Sequence, residues 1–79
     1  MAGPVFSFAV DPRRKNTVYA GLTGQVYRSL DAGRSWHLLG NGLPTEAPVT
    51  TLLPSASNPT RLYAVSAGHG LFWQELEAP

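Results

Sequence analysis

Two carboxylates set two residues apart, Glu75 and Glu77, come nearest to acid–base machinery in this 79-residue chain. On an extended strand they share one side. Glycoside hydrolysis needs carboxyls opposed across a substrate, about 5 to 10 Å apart, and nothing in the flanking residues fixes this terminal pair in a cleft. Asp31 is the third candidate, within Ser29-Leu30-Asp31-Ala32-Gly33-Arg34-Ser35-Trp36. An Asp two positions before a turn glycine most often accepts hydrogen bonds from its own backbone. The octapeptide therefore reads as a structural turn built by Ser29, Asp31, Gly33, Ser35 and Trp36. Gly33 supplies a positive φ, and Trp36 restarts a strand with a large apolar anchor. His37 and His69 have no partner at metal-ligand spacing. The absence of cysteine removes thiolate nucleophiles, disulfides and thiolate metal sites. No catalytic, cofactor-binding or metal-ligating constellation emerges, so no enzyme activity and no cofactor are expected.

Binding chemistry has more to work with. Arg13, Arg14 and Lys15 form the one basic cluster and could engage a phosphate or a sugar acid, although a loop bounded by Pro and Asn more often places such charges in solvent. If several copies formed a ring, Arg13, Arg14, Arg28 or Arg61 would be repeated around one mouth of a channel. Trp73 directly follows Phe72, so strand alternation sends the two rings to opposite faces, and one of them leaves the core. Arg13, Arg14, Arg28, Arg61 and Trp73 are accordingly the candidate contacts to a glycan, a peptide or a partner subunit. A net charge of +1 with 14% charged residues offers no basic stripe for nucleic acid. No window approaches the roughly 18 apolar residues of a membrane span, and Met1-Ala2-Gly3-Pro4 opens no signal peptide. A soluble chain of undetermined compartment is expected.

Short β-rich runs bounded by Gly, Pro, Asn and Asp carry these side chains, with no sustained helical period. Strands are predicted over Val5–Val10, Thr17–Leu22, Gln25–Leu30 and Ser35–Leu39, then over Val49–Leu53, Arg61–Ser66 and Leu71–Leu76, with all seven prolines at or beyond strand ends. The two sets are copies. A shift of 44 residues lays Val5 on Val49, Phe8 on Leu52, Tyr19 on Tyr63 and Ala20 on Ala64, and a shift of 45 lays Gln25-Val26-Tyr27 on Gly70-Leu71-Phe72. That period lies in the range of four-stranded propeller blades, about 40 to 50 residues.

The octapeptide, together with Val5–Pro12, Thr17–Gly21, Gln25–Ser29 and Gly42-Leu43-Pro44, resembles one whole blade of the Asp-box, or BNR, repeat family. The β-propellers of that family include sialidases, sortilin-type receptors, xyloglucan-cleaving glycosidases and photosystem assembly factors. The resemblance implies an all-β fold with a four-stranded blade over residues 4–44 and an incomplete three-stranded blade over 45–79, which lacks a second box. It also implies that the box is structural and lies far from any active site. The arginine triad and nucleophilic tyrosine of the sialidases have no matching surroundings here. Two blades do not close a propeller, whose blades number about 4 to 8. The expectation is a non-catalytic binding or scaffold module that self-assembles, as a trimer of six blades or a tetramer of eight. The alternative is a piece of a larger sialidase-like or other glycosidase propeller. The aromatic side chains Phe6, Phe8, Tyr19, Tyr27, Trp36, Tyr63, Phe72 and Trp73 should chiefly fill the space between blades.

Overall fold

The computed structural model describes residues 3–40, 42–55 and 61–76, and within them the chain is all-β, with seven strands and no helix. The strands are β1 Ser7–Val10, β2 Val18–Gly21, β3 Val26–Ser29, β4 His37–Gly40, β5 Val49–Ser55, β6 Arg61–Ser66 and β7 Gly70–Glu75. Every predicted strand is present with its ends shifted by at most two residues. The strands form two antiparallel meanders, a four-stranded sheet ordered β1-β2-β3-β4 and a three-stranded sheet ordered β5-β6-β7.

Cross-strand rows decide which side chains face the core. In the first sheet Ala9, Tyr19, Arg28 and His37 form one row, and Ser7, Gly21, Val26 and Gly40 another. In the second sheet the rows are Leu52, Ala64 and Phe72, and Pro54, Leu62 and Gln74. These rows turn toward each other. Tyr19, Val26, Val49, Leu52, Leu62 and Ala64 make one buried cluster between the sheets, with Ala9, Leu39 and Leu43 packed against it. Two irregularities adjust the facing: β4 carries the extra residue Leu39 opposite Val26–Tyr27, and β5 carries the extra residue Thr50.

Backbone contacts hold the sheets together at the β1 and β5 side. The Ser7 hydroxyl donates to the Val49 carbonyl at 2.7 Å. The Val49 N–H donates to the Leu22 carbonyl at 2.9 Å, and the Gly24 N–H to the Ala47 carbonyl at 3.1 Å. Gly21 is what lets β2 come this close. A Cβ there would run into the Ser7 hydroxyl and would sit 2.8 Å from the Val49 side chain and carbonyl.

Two expectations need correction. Pro54 lies inside β5, paired with Leu62, rather than beyond the strand end. Its missing N–H is tolerated because β5 is the edge of its sheet. The aromatic side chains do not gather between the two sheets either: Tyr19 is fully buried there and Phe72 half-buried, whereas Phe6, Phe8 and Trp73 stand exposed on the outward faces. Those faces are apolar. Phe6, Phe8, Val10 and Leu38 cover the outside of the first sheet, and Leu53, Val65, Leu71 and Trp73 the outside of the second.

Candidate functional site

The Ser29–Trp36 octapeptide folds into a turn that consumes its own polar groups. The Asp31 carboxylate accepts from the Ser35 hydroxyl at 2.6 Å, the Ser35 N–H at 2.8 Å and the Ser29 hydroxyl at 2.8 Å. The same Ser29 oxygen accepts from the Gly33 N–H at 2.8 Å. Trp36 donates its indole N–H to the Gly33 carbonyl at 3.1 Å, and the Ala32 N–H reaches the Asn16 carbonyl at 2.9 Å, tying the turn to the loop before β2. Gly33 takes φ 95°, as the sequence requires, and Ala32 takes φ 62°, which its side chain gives no reason to expect. Hydrogen bonds from Ser35 and then Ser29 hold the Asp31 carboxyl well below the usual carboxylate range. General acid catalysis near neutral pH needs the opposite shift. Asp31 is chemically a turn anchor.

A second polar centre escaped the sequence reading. Tyr19 is 1% exposed and donates its hydroxyl to Asp11 Oδ2 at 3.0 Å, while Asp11 Oδ1 accepts the Arg13 N–H at 2.8 Å. Burial first, then the hydrogen bond and negative charge of Asp11, push the Tyr19 phenol up to about 12 against the opposing fields of Arg28 and Arg14. A phenol so placed stays protonated and sequestered at neutral pH, which suits a structural tie and not a nucleophile. The signal in the sequence was an Asp closing one strand and a Tyr in the next, but only the β1–β2 register shows that they meet.

The candidate contact residues do not converge. Arg14 and Arg28 act on Tyr19, and Arg13 lies in the same loop. Arg61 belongs to the other sheet and places its guanidinium carbon 4.3 Å from the centre of the Trp73 ring, a cation–π contact on the outward face. Trp73 is therefore the ring that leaves the core, and Phe72 turns inward. His37 and His69 are exposed on β4 and in the β6–β7 turn, Glu75 is exposed on β7, and Glu77 lies outside the described residues. Among the described residues no three His, Asp or Glu side chains group to hold a metal ion.

A concave feature lies among the described residues. A cavity of about 210 Å³ opens between the sheets at the β4 and β7 side. Val26 and Leu39 line it from the first sheet, Leu43 from the loop after β4, and Leu62, Ala64, Phe72, Trp73 and Gln74 from the second sheet. Its walls are mostly apolar, with the Gln74 side chain and Trp73 among them. The chain matches no protein-family model, no curated protein and no solved structure.

Proposed function

We propose that this chain is a non-catalytic, two-blade propeller unit that assembles with further copies of itself into a closed ring and serves as a binding or scaffold module. The observation that carries this reading is an exchange of faces between the two copies of the repeat. Under the repeat alignment, Ala9, Tyr19 and Gly21, which face the second sheet, correspond to Leu53, Tyr63 and Val65 on the outside of that sheet. Val26 and Arg28 likewise correspond to the outward Leu71 and Trp73. Conversely, Phe8, Val10 and Tyr27 on the outside of the first sheet correspond to Leu52, Pro54 and Phe72, which face inward. Each outer face is thus the repeat equivalent of the surface that its opposite number already packs against within the chain. One sheet-on-sheet contact, applied again between chains, covers both faces and generates a ring.

Absolute mass in solution, by light scattering behind size exclusion over at least a tenfold concentration range, tests this. The expected mass is about 26 or 34 kDa, three or four times the 8.5 kDa chain. A monomer across the range would overturn self-assembly and leave a larger propeller as the source of the missing blades.

A further inference from the structure

We propose that the end of the first sheet formed by the β1–β2 loop and the Ser29–Trp36 turn binds a tetrahedral oxyanion, phosphate or sulfate, between Arg14 and Arg28. The site lies within one chain and does not depend on assembly. Two loops meet there. The Asp11 N–H donates to the Thr17 carbonyl at 2.9 Å and the Thr17 N–H to the Arg14 carbonyl at 3.1 Å, which closes the loop after β1. The Ala32 N–H, on the Asn16 carbonyl at 2.9 Å, fastens the octapeptide turn beside it. Five cations share this end, Arg13, Arg14, Lys15, Arg28 and Arg34, against the two carboxylates of Asp11 and Asp31. The local charge is +3 in a chain whose net charge is +1. Local potential, more than net charge, is what draws an anion to a surface.

Arg14 and Arg28 approach one point from two elements. Both are half-buried, and both fields act on the Tyr19 hydroxyl, Arg14 from the loop and Arg28 from the position directly opposite Tyr19 on β3. His37 stands directly opposite Arg28 on β4 and is exposed. Side-chain donors outnumber side-chain acceptors here, whatever local contacts the arginines make. Each guanidinium carries five N–H groups, whereas an ionised carboxylate has about four acceptor sites. Asp11 already accepts from the Tyr19 hydroxyl and the Arg13 N–H, and Asp31 accepts three times from Ser29 and Ser35. The complement to such a site is a negatively charged group that accepts without donating. A phosphate monoester presents three acceptor oxygens, enough for guanidiniums from two elements to share it. A neutral sugar hydroxyl, which also donates, is the poorer match. Partial burial of both arginines lowers the effective dielectric and strengthens the attraction.

The probes are inorganic phosphate, inorganic sulfate and glucose 6-phosphate, titrated into the full chain at constant ionic strength with sodium chloride as the balance. NMR of backbone amides and arginine Nε–H groups follows the titration. Saturable shifts are expected at residues 11–17 and 28–37, with half-saturation below about 10 mM. Arg14→Gln and Arg28→Gln should each weaken binding about tenfold, the order of one hydrogen bond to a charged group, while Arg61→Gln on the other sheet leaves it unchanged. Arg14 lies in a loop, so its variant keeps the test decisive where Arg28→Gln lowers stability. Tighter binding of glucose 6-phosphate than of phosphate would mark the oxyanion as one group of a larger ligand, and equal binding would mark the free ion; both support the site. Shifts that stay linear throughout, that chloride alone reproduces, or that survive both arginine substitutions would overturn it. Mass measured on the same samples separates the two readings: a ring that fails to bind refutes the oxyanion site alone, and a monomer that binds supports the site while refuting the ring.

Discussion

At the scale of single residues, Asp31 and Tyr19 show opposite uses of a polar group. Asp31 is exposed and ionised, and it spends its charge on Ser29 and Ser35. A carboxyl whose folded value lies below its unfolded one contributes stability that is complete above the unfolded value, near 4, and is lost as pH falls through the lower folded value. The melting temperature should therefore drop as pH falls below about 4. In an Asp31→Asn variant, melting scans from pH 7 to 2 should start lower and lack that part of the acid dependence; parallel curves for the two proteins would contradict the anchoring role. Tyr19 is buried and neutral, and it ties β2 back to Asp11 at the end of β1. Much of the octapeptide was legible because Asp, Gly and Ser each have a stereochemical reason for their position. The positive φ of Ala32 was not, because the hydrogen bonds on either side of it impose that conformation. The Asp11–Tyr19 pair was not either, because residues eight apart meet only once a register is chosen.

At the scale of elements, all seven strands could be read from β-rich runs and their punctuation. The end of β4 nearest the turn was misplaced because Ser35 and Trp36 are spent on Asp31 and Gly33 before the ladder begins. Facing was harder to read than existence. Phe8 and Val10 on one side of β1 are at least as apolar as Ala9 on the other, so alternation alone does not say which side meets the second sheet. The extra residues Leu39 and Thr50 shift the alternation again in β4 and β5. The close approach of β2 to β5 gives a direct check. Gly21→Ala should destabilise by about 1 to 3 kcal/mol, the typical cost of forcing a group into filled space, since the new Cβ meets Ser7 and Val49. Denaturant unfolding reads this as a lower midpoint at unchanged slope; a neutral result would mean that the sheets are not held at this distance.

At the scale of the whole molecule, the proposed assembly rests on the two outward faces. Phe8 is 64% exposed on one and Leu71 62% on the other. Completing the burial of a half-exposed side chain of this size contributes roughly 1 kcal/mol, summed over several on each face. The proposed ring would cover every face, whereas an open stack would leave two ends bare. In that proposed ring, the face exchange between repeats would have unlike faces meet, head to tail. The most direct measurement uses two variants, Phe8→Asp blocking the first face and Leu71→Asp blocking the second, each analysed alone and mixed by native mass spectrometry. Head-to-tail assembly predicts that each variant alone is a monomer of 8.5 kDa, and that the mixture forms a one-to-one pair of about 17 kDa through the remaining intact faces. Variants that dimerise alone and form no mixed pair would show that like faces meet, and would contradict the propeller ring.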